Sequence, residues 1–111
     1  MPSPSVPAAI IVMYHHPTDP AAFERYYEQT HLPLLGKQAA EIGFTRAEFV
    51  KFAETLDGKP PTLYRQAALW FDSLAALQRG ITTSGFAAVA GDIPNFATGG
   101  TTAMISIKTN S

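Results

Sequence analysis

The segment AAIIVMYH, residues 8–15, is the feature that most limits how this chain can fold. It is apolar on both faces and rich in β-branched residues, and Pro17 follows it closely. A strand with one face in water would alternate apolar and polar side chains, so this run predicts a central strand that is covered on both sides.

A long helix with an interruption is predicted next. Asp19 followed by Pro20 is typical of a helix start, because the Asp carboxylate can cap free backbone N–H groups and Pro at the first helical position loses no hydrogen bond. Pro33 disfavours helical geometry at the residue before it. We therefore expect the helix to stop or kink near His31 and a second short segment to end at Gly43.

Two more strands are predicted over residues 44–53 and 62–71, where aromatic and β-branched residues recur. The TLDGKPP segment between them contains an Asp-Gly turn signal and reads as an exposed connection. The two strands are expected to form a hairpin with a long loop.

The last third of the chain predicts more helix and a final strand. Asp72-Ser73 is expected to cap a helix that ends at Gly80, and a second capped turn is expected from Ser84 until Pro94 breaks it. Residues 101–108 then form the last strand.

The resulting order, β-α-β-β-α-β, predicts the α+β ferredoxin-like plait, in which a four-stranded antiparallel sheet carries both helices on one face. Residues 8–111 form a single domain in this interpretation, and the Pro- and Ser-rich residues 1–7 form a flexible tail. The other sheet face has no cover within the chain, and charged residues make up only 15% of the sequence. We therefore expect a homodimer.

Composition excludes several classes of function. Eight basic against nine acidic residues, with no basic run, argue against nucleic-acid binding. The absence of cysteine excludes disulfides and thiolate metal sites. The apolar run near the N-terminus is too short to span a bilayer and has no basic segment before it, so we expect a cytoplasmic protein that does not enter membranes.

Phe23, Tyr27 and His31 are spaced four residues apart and line one stripe of the first helix. In the plait this stripe faces the sheet. One interpretation makes His31 a polar helix-end residue bonded to backbone. The other makes it an acid or base whose ring is oriented by the Tyr27 hydroxyl one turn earlier.

A metal site built from His15, His16 and His31 is the alternative for the histidines. Adjacent residues on a strand point to opposite faces, and the chain has no HxH or HExxH spacing, so we expect no metal. Glycine-rich phosphate loops and the GxSxG motif are also missing from the sequence, and no nucleotide or other cofactor is expected.

The combination of Tyr-His-His-Pro after the first strand, the Tyr27-xxx-His31-x-Pro33 segment, LWFDSLAAL and the late DIPNF segment (92–96) resembles the EthD family, named for ethyl tert-butyl ether degradation. This resemblance implies a dimeric α+β barrel, in which ferredoxin-like protomers join through their sheets and each has a cleft between sheet and helices. The wider superfamily includes cofactor-free monooxygenases, lactone isomerases, and polyketide dehydratases, decarboxylases and cyclases, so no single reaction is implied.

Two hypotheses follow. In the first, the chain is a cofactor-independent enzyme of degradative or secondary metabolism, monooxygenase-like or lyase/isomerase-like, and His31 and Tyr27 act on an apolar oxygenated or aromatic small molecule. Its predicted substrate contacts are Tyr14, Phe23, Trp70, Phe86, Asp92 and Phe96. In the second, the chain is an accessory or ligand-binding protein, the aromatic residues are core, and His31 is structural.

Overall fold

A computed structural model describes residues 6–111, and its elements follow the predicted order. The strands are β1 (Ala8–Tyr14), β2 (Arg46–Lys51), β3 (Arg65–Phe71) and β4 (Thr101–Ile107). The helices are α1 (Pro20–Tyr26), α2 (Leu32–Ile42), α3 (Leu74–Gly80) and α4 (Ser84–Asp92), with a π-helical turn at Tyr27–His31 and a 3₁₀ turn at Ile93–Asn95. Most of the tail predicted for residues 1–7 lies outside the described residues.

The four strands form one antiparallel sheet in the order β2-β3-β1-β4. Central β1 places Val12 opposite Ala67 of β3 on one side and opposite Ala103 of β4 on the other. This is the strand order of the ferredoxin-like plait, and the prediction that the first apolar segment is a central strand is confirmed.

The hairpin strands are shorter than predicted. β2 covers residues 46–51 rather than 44–53, and β3 begins at Arg65 rather than at residue 62. Pro60 and Pro61 lie in the connection, and proline has no N–H for a ladder hydrogen bond. The chain therefore enters β3 only after several irregular residues.

The sequence predicts that the first helix stops or kinks near His31. The helix does not stop there, but its regular α-helical hydrogen bonding is interrupted. The Asp19 carboxylate caps its start by accepting from Ala22 N at 3.1 Å. At the expected break the helix widens into the π turn, where Leu32 N donates to the Tyr27 carbonyl five residues earlier. In an α-helix the Pro33 ring would clash with the carbonyl four residues before it, and the wider turn relieves that clash. The helix ends at Gly43, which has φ of 90°.

The second helical region is also capped as the sequence indicates. Ser73 Oγ accepts from Ala76 N and Thr83 Oγ1 accepts from Phe86 N, both at 3.1 Å. Gly80, the last residue of α3, packs so closely against the end of α2 that an added Cβ would lie 2.5 Å from the Ile42 carbonyl oxygen. Within residues 6–111 no helix combines the length and apolarity needed to cross a bilayer.

The helices cover one face of the sheet, and the main core lies between these two layers. Its buried side chains include Ile10, Leu35, Ile42, Leu69, Phe71, Leu77 and Val89. On the helix-free face Val50 and Met104 are 43% and 56% exposed. On the helix-facing side of the edge strand β4, Ile105 and Ile107 are also about half exposed.

Candidate functional site

A cavity of about 150 Å³ lies between the helix-facing side of the sheet and the helices. The sheet supplies apolar side chains and two hydroxyls to its wall, from Ile10, Val12, Tyr14, Phe49, Ala67, Leu69, Thr101 and Ala103. The helical side is apolar except for one phenol and one imidazole, and is made by Tyr27, His31, Leu32, Leu35, Phe86, Val89, Ala90 and Ile93. The cavity therefore suits an apolar molecule and contains few groups that can do chemistry.

His31 is the histidine among the residues of this wall, and it is only 4% exposed. Its Nδ1 lies 2.9 Å from Asp92 Oδ2. A carboxylate can only accept a hydrogen bond, so Nδ1 carries the proton and the neutral ring has its lone pair on Nε2. Within residues 6–111 Nε2 has no hydrogen-bond partner.

Asp92 is held by three donors. Besides His31, the Tyr26 hydroxyl donates to Oδ1 at 2.6 Å and Asn95 Nδ2 donates to the same oxygen at 3.0 Å. Partial burial acts to raise the pKa of Asp92, but these hydrogen bonds outweigh it and the net pKa lies below its usual value. Asp92 is therefore an anion that is fixed in position behind the imidazole.

Burial lowers the pKa of His31, because an imidazolium is poorly solvated among apolar groups. The hydrogen bond and the charge of Asp92 act in the opposite direction but do not overcome burial. His31 is therefore neutral near pH 7 and able to accept a proton, and Asp92 is placed to stabilise the imidazolium that would form.

Two aromatic rings hold the imidazole in place. The Phe96 ring centroid lies 4.5 Å from that of His31, and the Tyr27 ring stacks on it at 5.8 Å with an interplanar angle of 19°. The Tyr27 and Phe96 rings also pack against each other, with centroids 5.6 Å apart, so the imidazole lies at the edge of an aromatic cluster. The hydrogen bond to Asp92 then determines which way Nδ1 of the ring points.

The structure brings together most, but not all, of the residues predicted for the site. Tyr14, Tyr27, His31 and Phe86 line the cavity. Phe23 and Phe96 pack behind it in a second buried cluster with Tyr14 and Tyr27. Asp92 lies behind His31 and contacts the imidazole rather than the cavity.

Phe23, Asp92 and Phe96 were predicted to contact the substrate but do not line the cavity, and two further placements differ from the prediction. Trp70 points to the helix-free side of the sheet, where its Nε1 donates to Glu48 at 2.7 Å, because Leu69 takes the cavity-facing position of β3. Tyr27 was expected to orient His31 through its hydroxyl, but it contacts the imidazole with its ring. Asp92 provides the orienting hydrogen bond instead.

Tyr26 and Asn95, which both donate to Asp92, were not predicted as site residues from the sequence. An α-helix turns residues 26 and 31 well apart, whereas the π turn rotates less per residue and brings them toward the same side. Asn95 follows Asp92 by three residues, a spacing that places both on one side of a helical turn. That spacing was the available signal for Asn95, whereas no sequence rule signalled the π turn.

His15, His16 and His31 do not come together. His15 Nε2 pairs with Thr102 Oγ1 at 2.9 Å, and His16 Nε2 pairs with the Pro61 carbonyl at 2.6 Å on the other side of β1. In the part of the chain that the structure describes, no three His, Asp or Glu side chains are grouped closely enough to hold a metal ion.

The family model described as EthD domain matches residues 15–100. A protein from Rhodococcus erythropolis, described as an uncharacterized 11.0 kDa protein in the thcB–thcC intergenic region, is 33% identical over 97 residues, which are 87% of this chain and 90% of that protein. The crystal structure of an EthD family protein from Bacillus halodurans superposes with a TM-score of 0.82 at 25% identity, over 93% of this chain and 99% of that chain.

More distant solved structures share the fold alone. Hydroxynitrile lyase from Passiflora edulis has a TM-score of 0.70 at 9% identity, over 98% of both chains. SnoaB, a cofactor-independent oxygenase from Streptomyces nogalater, has a TM-score of 0.57 at 15% identity, over 96% of this chain and 94% of that chain.

Proposed function

The chain belongs to the EthD family, and we propose that it is an acid–base catalyst in which the imidazole of His31 exchanges a proton with a small apolar molecule in the cavity. The observation that carries this proposal is the pairing of a buried, neutral His31 with Asp92 at the wall of an apolar cavity. Asp92 makes Nδ1 the protonated nitrogen, so Nε2 is the atom that accepts the proton.

The apolar surroundings favour proton transfer in two ways. The neighbouring side chains within residues 6–111 offer no hydrogen bond to Nε2, so its lone pair is free for the substrate. When Nε2 takes a proton, the new positive charge lies beside the Asp92 anion in a region of low dielectric, where their attraction is strong. The same pair then returns the proton to a carbon or oxygen of the product.

Proton transfer at carbon is a step shared by lyases, isomerases and cofactor-free oxygenases, which are the classes that the fold neighbours and the family resemblance suggest. A hydroxynitrile lyase and a cofactor-independent oxygenase both use this fold. Because fold does not determine chemistry, these neighbours support the general class of reaction and leave the substrate to be found from the site itself.

We propose further that the protein is a homodimer joined through the helix-free sheet face. That face presents Ile11, Ala68 and Met104 in one row across three strands, with Val50 and Trp70 beside them. Met104 and Val50 are exposed and Ile11 and Trp70 are partly exposed, which is typical of a surface that another chain covers. A second copy would also complete the cover that the doubly apolar β1 requires.

A ligand-binding protein without catalysis is the second candidate. The observation that favours it is that the His31–Asp92 hydrogen bond also ties the end of the π turn to the end of α4. In that case His31 would stabilise the fold and the cavity would only store or carry its ligand.

Exchange of the α-hydrogens of cyclohexanone in D₂O, followed by proton NMR, separates the two candidates without knowledge of the natural substrate. We expect the wild type to catalyse deuteration and His31→Ala to lose the catalysed rate by on the order of 10²-fold while remaining folded. His15→Ala, which removes a half-buried histidine outside the cavity, is the matched control and should keep the rate. A wild-type rate no greater than that of free imidazole, or an unchanged rate in His31→Ala, would contradict the catalytic proposal.

A further inference from the structure

The Tyr27 hydroxyl is a buried polar group without a partner. The Tyr27 side chain is 2% exposed and lines the cavity, and its Oη makes no hydrogen bond within residues 6–111. Buried hydroxyls in folded proteins nearly always have a partner, because leaving one unpaired costs free energy. Because Tyr27 lines the cavity, a ligand that displaces the side chains covering this hydroxyl is a source of its missing partner.

The ring cannot easily move to find another partner. Phe23 stacks on it at 5.3 Å between centroids, and the Arg65 guanidinium carbon lies 4.9 Å from its centroid. Arg65 is itself held by both carboxylate oxygens of Glu24, at 2.9 and 2.7 Å. The hydroxyl is therefore held in place beside the cavity.

Tyr27 is suited to donate a hydrogen bond rather than to ionise. Burial raises the pKa of Tyr27 to about 12 although Arg65 acts to lower it, so the phenol keeps its proton at neutral pH. A neutral phenol between an apolar wall and a cavity favours a ligand atom that accepts, such as a carbonyl or ether oxygen.

The size and charge of the cavity limit the ligand further. A volume of about 150 Å³ is that of a cavity which holds benzene. Among the described residues, no Asp, Glu, Lys or Arg side chain lines the wall, so a charged ligand would lose its hydration without compensation.

We propose that the cavity takes an uncharged molecule of about six to eight non-hydrogen atoms with one acceptor oxygen, that Tyr27 Oη donates to this oxygen, and that the adjacent C–H faces His31 Nε2. This inference rests on the proposed function and names its substrate class. With a ketone, Nε2 takes the α-proton, the C–H electron pair forms a C=C bond, and the carbonyl π electrons move to oxygen. The enolate oxygen then accepts the hydrogen bond from Tyr27, and reprotonation at carbon by His31 restores the ketone.

Binding of two probes of equal heavy-atom count, cyclohexanone and toluene, tests this class. Affinities are measured by ligand-observed NMR for the wild type, for Tyr27→Phe and for Tyr64→Phe, which removes a phenol outside the cavity. We expect the wild type to bind cyclohexanone more tightly than toluene. Tyr27→Phe should weaken cyclohexanone binding about three- to tenfold and leave toluene binding unchanged, whereas Tyr64→Phe should change neither.

Equal affinity of the wild type for the two probes, no binding of cyclohexanone, or an equal loss of both in Tyr27→Phe would overturn the inference. This outcome is distinguishable from failure of the proposed function. If cyclohexanone binds through Tyr27 but its α-hydrogens do not exchange, the substrate class stands and the catalytic role of His31 falls. If Tyr27→Phe keeps both its affinity for cyclohexanone and the exchange of the α-hydrogens, the catalytic role of His31 stands and the hydrogen bond from Tyr27 to the ligand falls.

Discussion

Asp92 Oδ2 lies 2.9 Å from His31 Nδ1, although 61 residues separate them in the chain. The hydrogen bond joins the end of the π turn to the end of α4, and Tyr26 and Asn95 complete a polar cluster around the carboxylate. The cluster lies outside the apolar cavity, so it can set the state of His31 without occupying the space for a ligand.

Asp92→Asn should lower the pKa of His31 further. The charge and hydrogen bond of Asp92 raise the pKa of His31, whereas burial lowers it. Without the Asp92 carboxylate, the effect of burial on this pKa is less opposed. The measurement is a titration of the imidazole nitrogens by ¹⁵N NMR. Glu54→Gln, which removes an exposed carboxylate from the long loop, serves as the control and should leave the midpoint in place. A midpoint that rises in Asp92→Asn would show that the carboxylate does not stabilise the imidazolium.

His31 should make the fold less stable in acid. Its pKa in the folded protein lies below the usual value of 6.5, so the unfolded chain binds more protons as the pH falls through that value. The free energy of unfolding of the wild type should therefore decrease from about pH 7.5 to about pH 5.5, and His31→Gln should reduce this decrease. Urea unfolding at a series of pH values provides the measurement. Identical pH slopes for the two proteins would show that burial does not perturb His31.

Gly80→Ala and Gly36→Ala should have effects of opposite sign. A Cβ at Gly80 would lie 2.5 Å from the Ile42 carbonyl oxygen and 2.8 Å from the Phe71 ring, and we expect a loss of about 1–3 kcal/mol in the free energy of unfolding. Gly36 lies exposed within α2 and has open space around it, so alanine there should stabilise by about 0.5–1 kcal/mol. Urea unfolding of both variants measures the difference, and stabilisation by Gly80→Ala would mean that α3 packs less closely than described.

Met104→Glu should weaken the proposed homodimer at least about tenfold, because it places a charge in an apolar sheet face that the partner would cover. Leu56→Glu is the matched control, since Leu56 is fully exposed in the long loop away from that face. Sedimentation equilibrium over a range of concentrations measures the change. A wild type that remains monomeric at micromolar concentration, or an unchanged dimer in Met104→Glu, would contradict this interface.

Much of the fold could be predicted because its signals are local. The caps at Asp19 and Ser73 and the end of a helix at Gly43 follow from steric and hydrogen-bonding rules that act over a few residues. The π turn could not be predicted in the same way. Pro33 disfavours regular helix, but whether the chain stops or widens depends on whether α2 can still bury Leu35 and Ile42 in the core.

The sequence by itself determined the order of strands and helices along the chain, from which the plait follows, and the buried stripe of Phe23, Tyr27 and His31, since these depend on periodicity and on short-range stereochemistry. Only the tertiary structure decided which residues share the cavity. Leu69 and Trp70 are both apolar neighbours on β3, and the register of the sheet, rather than their chemistry, turns one toward the helices and the other away. The partner of His31 was decided in the same way, because a hydrogen bond across 61 residues exists only after α4 packs against α2.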